Sequence, residues 1–122
     1  MKDFRDLKVW DKSHKLTLAC YEATGRFPKQ EIFGLVSQIR GCSSSGPANV
    51  AEGGGRRGNG EFHRFLQIAM GSASELEYHL LLSKDLKFLA PADHERLQVE
   101  EVKRMLASLT RKVDSERAQF RG

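Results

Sequence analysis

Apolar side chains recur along this chain at alternating steps of three and four residues, the spacing that gathers them on one face of an α-helix. The pattern predicts four long helices. The first runs from Leu7 to about Phe27, with Trp10, Leu16, Cys20, Tyr21 and Phe27 on a broad stripe. Phe27-Pro28-Lys29 ends it, because proline has no amide hydrogen and disfavours helix at the residue before it. In the second, Ile32, Leu35, Ile39, Cys42, Gly46 and Asn49 make a coiled-coil-like seam that crosses Pro47 unbroken. That continuity predicts one helix kinked at Pro47, with the hydrogen bond to Ser43 lost.

Five glycines among the eight residues Gly53 to Gly60 predict a flexible loop, since their backbone entropy opposes a helix. The third helix is expected from Glu61 to about Lys87, with Phe62, Leu66, Ala69, Ala73, Leu76 and Leu80 on one face. Its middle, Ala69 to Ser74, is small enough for a neighbouring backbone to approach closely, at a propensity cost for Gly71. Leu81, Leu82, Leu86 and Leu89 spread its apolar surface beyond that face. After Pro91, Asp93 is placed to cap a last helix carrying Val99, Val102, Leu106, Leu109, Val113 and Phe120. No alternation with period two competes anywhere. Short connections make sequential helices antiparallel neighbours, so residues 1–122 read as one all-α domain, an up-down-up-down antiparallel four-helix bundle. Val9 and Leu18 lie outside the Trp10 stripe, and with Leu16 at its edge and the surplus on the third helix they predict self-association.

Composition narrows the function classes. No apolar run approaches the roughly 20 residues of a membrane span. Met1 to Asp6 mixes both charge signs and lacks the apolar core of a secretory signal, which points to the cytoplasm. Cys20 and Cys42 fit buried free thiols better than a disulfide framework or a metal site. Two-metal carboxylate bundles need Glu-x-x-His pairs, and none occurs; His14, His63, His79 and His94 are widely separated. Gly53 to Gly58 matches half of a phosphate loop, but Asn59-Gly60 stands where Lys-Ser/Thr is required. Ser43-Ser44-Ser45 has no nucleophile elbow around it and suits a polar face or a close helix contact. The expectation is a protein with no catalytic residue, metal ligand or cofactor, and therefore no enzyme.

The net charge is +4, and residues 1–60 hold all of the excess, with ten Lys/Arg against six Asp/Glu. Arg56 and Arg57 in the glycine-rich loop, with Lys12, Lys15, Arg40 and Arg64, form the candidate nucleic-acid-binding set. The plain alternative for Arg56 and Arg57 is a solvated connection.

Phe4-Arg5-Asp6-Leu7-Lys8-Val9-Trp10, Phe33-Gly34-Leu35-Val36-Ser37-Gln38-Ile39-Arg40, Pro47-Ala48-Asn49-Val50-Ala51-Glu52-Gly53, Phe62 with Arg64-Phe65-Leu66, and Gly71-Ser72-Ala73-Ser74-Glu75-Leu76-Glu77 occur in that order. Together they resemble the 23S rRNA intervening-sequence protein family, up to about Leu89. The resemblance implies a small bacterial four-helix bundle assembled as a homopentamer, with no established enzymatic activity. A related branch, the accessory variability protein of diversity-generating retroelements, is a basic pentamer that binds nucleic acid and its reverse transcriptase. The chain departs from the commoner family pattern at Gly46, expected to loosen the kink, and in the glycine-rich Gly53 to Gly60. Two function classes follow: an adaptor for RNA or DNA, and a scaffold whose partner is another protein.

Overall fold

The computed structural model describes residues 3–55 and 58–121, with side chains as far as residue 116. Four long helices make up most of it: α1 (Lys8–Thr24), α2 (Leu35–Gly54), α3 (Asn59–Asp85) and α5 (Val99–Arg121). A short α4 (Pro91–Arg96), which the hydrophobic pattern did not separate, precedes the last. Among the described residues there is no strand. α2 and α3 pack most closely, then α3 with α5 and α1 with α2, while α1 and α5 touch far less. Ile39, Val50, Leu66, Leu76, Leu80 and Leu106 are the largest apolar side chains wholly inside.

α2 passes through Pro47 as one helix. Gly46 contributes no Cβ to collide with the proline ring, which eases the usual bias against helix before a proline. The ring still removes the amide hydrogen that the Ser43 carbonyl would accept, and Ser43 is buried. Thr17 of α1 replaces it, its hydroxyl donating to the Ser43 carbonyl at 2.7 Å, closer than its own-helix acceptor Ser13 at 3.0 Å.

The buried face of α1 differs from the expected stripe. It consists of Val9, Ser13, Thr17, Cys20, Ala23 and Thr24, whereas Tyr21 is exposed and Trp10 and Leu16 lie at the margin. Ser13 donates to the Trp10 carbonyl and Thr24 to the Cys20 carbonyl, so the hydroxyls satisfy themselves and pack as small groups. The α2 seam also differs. Ile32 is outside the helix and exposed, and beyond Cys42 the buried positions are Ser43, Pro47, Val50, Gly53 and Gly54, not Gly46 and Asn49.

Among the described residues of the glycine run, Gly53, Gly54, Asn59 and Gly60 are helical and Gly55 and Gly58 are not. Gly53 and Gly54 end α2 in the interior, and Asn59 and Gly60 begin α3. A Cβ on Gly53 would fall 2.7 Å from the Phe65 Cβ and 3.0 Å from Phe62 Cδ1, so absence of a side chain is what lets the two helices converge there. Entropy loses to close packing. Ser45 and Ser72 share a hydrogen bond at 2.8 Å farther along the same contact, and Ala69 and Ala73 are buried in it, while Gly71 faces outward with nothing near. α3 keeps its expected stripe and closes with Lys87 at φ 68°, the Phe88 and Lys87 amides donating to the Ser83 and Lys84 carbonyls. Asp93 caps nothing; Ala90 precedes Pro91 at the start of α4, and Asp93 instead accepts from Arg96 at 3.0 Å.

Two stability outcomes follow. Thr17→Val should cost about 1–3 kcal/mol by stranding the buried Ser43 carbonyl. In a Pro47→Ala background, where residue 47 regains its amide hydrogen, most of that cost should vanish, and additive urea midpoints would refute the account. Gly53→Ala should lose about 1–3 kcal/mol by overpacking despite better helix propensity, whereas Gly71→Ala should gain about 0.5–1 kcal/mol, both read from thermal melts.

Candidate nucleic-acid interface

The structure brings together only part of the basic set. Lys12 and Lys15 stand one turn apart on α1 and border a cavity of about 180 Å³ that also touches Leu16, Ala19, Arg96 and Val102. A second cavity, about 280 Å³, lies farther along the same α1–α5 seam, between Leu7, Lys8 and Val9 on one side and Met105, Leu109 and Lys112 on the other. Five cations line the two cavities and no carboxylate does. Along the seam α1 and α5 pack far less closely than α2 with α3, α3 with α5 or α1 with α2. Lys12 reaches across it to Glu101 at 3.1 Å, and Lys15 bonds Asp11 on its own helix at 2.9 Å. Both pairs are solvated, so each holds its lysine weakly.

Arg40 and Arg64 lie elsewhere. The Arg40 guanidinium covers the Tyr21 ring at 4.7 Å and donates to the Thr24 hydroxyl at 3.0 Å and the Tyr21 carbonyl at 3.3 Å, which ties α2 to the end of α1. That is a bracing role. Arg64 sits in the first turns of α3, 3.5 Å from Glu61 and over the Phe65 ring at 4.6 Å. Arg56 and Arg57 lie outside the described residues. Sequence reasoning missed Lys8, Arg96 and Lys112. Lys8 was within reach, since Lys8, Lys12 and Lys15 recur at steps of four and three on one helical face.

Among the described residues no three His, Cys, Asp or Glu side chains could hold a metal ion together, and no helix is long and apolar enough to cross a membrane. His14 stacks on Trp10, and the His63 Nδ1 lies 2.7 Å from Asp114. Burial pushes the Cys20 thiol up to about 12, helped by the neighbouring Cys42 and opposed by a hydrogen bond with Ser43. Burial also raises Cys42 to about 11, with the Glu75 charge adding to it. Neither thiol is a nucleophile at neutral pH.

The family model described as 23S rRNA-intervening sequence protein matches residues 5–108. The chain belongs to that family. Its fold is similar to the crystal structure of a protein of unknown function from the S23 ribosomal protein family of Bacteroides thetaiotaomicron. The TM-score is 0.75 and the identity 25%, over 84% of this chain and 97% of that one. None of the curated proteins matches it. In this member of the 23S rRNA-intervening sequence family, the α1–α5 seam is therefore assigned no role by likeness and has to be read from its own chemistry.

The thiols give a pH outcome for this family member. Above the ordinary pKa of 9.0 the unfolded chain releases thiol protons that the folded chain keeps, so the unfolded state binds fewer protons and stability falls as pH rises. The contribution should be intact below about pH 9 and be lost progressively towards pH 11 to 12, read from urea midpoints across that range. At about pH 8 a thiol reagent should modify both cysteines only on unfolding.

Proposed function

We propose that the chain is a non-enzymatic, self-assembling adaptor of the bacterial cytoplasm that binds nucleic acid, RNA foremost, through its basic surface. The observation that carries this reading is the row of Lys8, Lys12 and Lys15 on α1 facing Arg96 and Lys112, with no lining carboxylate among them. Phosphate contacts need only such cations at a reachable surface, and they position a nucleic acid without reading its bases. The family description, which names an intervening sequence of 23S rRNA, agrees with an RNA context.

Assembly belongs to the same reading, with a homopentamer as its form. It is supported by the large apolar side chains left in water, among them Phe33 at 93%, Leu18 at 57% and Tyr78 at 57% exposure. A ring would repeat each weak cluster of cations and raise avidity without new contacts. An up-down-up-down antiparallel course of the four long helices, bent at Pro47, completes the reading. It is supported by the short connections and the order in which the helices pack. A protein scaffold is the second reading, favoured by the aliphatic floor of the seam, which phosphates do not use.

Binding of a structured RNA measured across a salt series tests the function. Affinity should fall steeply between roughly 50 and 200 mM salt, and replacing Lys12 and Lys15 with Gln should flatten the log-log slope by about one to two units. An unchanged slope removes these lysines from the interface, and no binding even at low salt removes the nucleic-acid reading.

A further inference from the structure

The seam is more than a row of charges. Its floor is aliphatic, made by Leu7, Leu16, Ala19, Met105 and Leu109, and no aromatic side chain lines either cavity. Proteins that bind single-stranded nucleic acid stack its bases on aromatic platforms, and among the described residues none lines the two cavities. Leu7 to Ala19 spans about 18 Å of helix rise, roughly three turns. Two aliphatic hollows along one seam, rimmed by cations and crossed by the Lys12–Glu101 pair, are complementary to a helix with apolar side chains on one face and carboxylates on its flanks, which is the helix-in-groove mode of recognition.

We propose that the α1–α5 seam docks an acidic amphipathic helix of a partner protein, in competition with nucleic acid for the rim lysines. This rests on the reading of the seam as the partner-binding face and adds the partner's chemistry and a form of regulation. The helix places aliphatic groups in the two cavities and sets carboxylates against Lys8, Lys12, Lys15, Arg96 and Lys112. Lys12 and Lys15 exchange Glu101 and Asp11 for the incoming carboxylates at little cost, because both existing pairs are solvated.

The probe is a fluorescein-labelled peptide of about 14 residues, with leucines at helical spacing on one face and glutamates on the other, alongside a scrambled peptide of the same composition. In the assembled full chain the patterned peptide should bind, outcompete its scrambled form and displace RNA. Ala19→Trp, which fills one cavity without altering charge, should weaken the peptide at least about tenfold and leave RNA affinity within about twofold. Ser108→Trp at the other cavity repeats the test independently, with melting curves confirming that each variant folds. Equal binding of patterned and scrambled peptides overturns the proposal, as does indifference of the peptide to both tryptophans. Light scattering that shows either tryptophan dissociating the oligomer also overturns it, because the seam is then an interface between copies. Peptide binding without RNA binding retains the docking site but defeats the nucleic-acid reading and, with it, the competition.

Discussion

The packing of this molecule turns on a carbonyl that its own helix cannot satisfy. Pro47 lies within α2, the helix that contacts both α1 and α3 extensively, and it removes the donor for the buried Ser43 oxygen. Breaking α2 there would separate the half that meets the end of α1 from the half that meets the start of α3. The Thr17 hydroxyl holds the helix together instead, at 2.7 Å from a neighbouring element. A buried carbonyl left without a donor costs about 1–3 kcal/mol, which is large against the net stability of a domain this size. Side chains on the inner face of α1 must then be small and polar at this level, and they are.

That constraint explains where sequence reasoning held and where it failed. The α3 stripe of Leu66, Ala69, Ala73, Leu76 and Leu80 was legible because every member is apolar and helix-compatible. The α1 face was not, since Ser13, Thr17 and Thr24 look like solvent positions until their hydroxyls are seen turned onto carbonyls. Trp10 and Tyr21 carried more weight in the pattern than they have in the core. The glycine run misled for a related reason. Glycine's entropy is a property of the isolated chain, whereas the value of Gly53 lies in the distance to Phe65 across a helix contact that no local rule contains.

The candidate interface shows the same boundary. Lys12 and Lys15 were found because they share a helix, and Lys8 could have been found with them. Arg96 and Lys112 join them only because the fold brings the end of α4 and the middle of α5 beside α1, a juxtaposition the sequence does not display. Arg40 and Arg64 illustrate the converse. Each is a surface cation by type, yet Arg40 is occupied with Tyr21 and Thr24, while Arg64, in a solvated pair with Glu61 and over the Phe65 ring, stands away from the seam. A basic count along the chain overstates the charge available to a partner.

The open seam adjoins the site of that repair. The inner face of α1 is given over to Ser13, Thr17, Cys20 and Thr24, and Leu16 stands at its edge, reaching both the interior beside Ser43 and Pro47 and the flank that faces α5, where Leu7 lies just before the helix. α5 answers with Val102 buried and with Met105 and Leu109 only partly covered. The two helices therefore meet loosely, over side chains that neither fully encloses. Their lysines keep the rim in water by placing charged heads beyond aliphatic stems. Beside the hydroxyl that repairs α2, the adjoining flank of α1 thus carries apolar hollows with a basic edge, and a partner must satisfy both chemistries at once to occupy them.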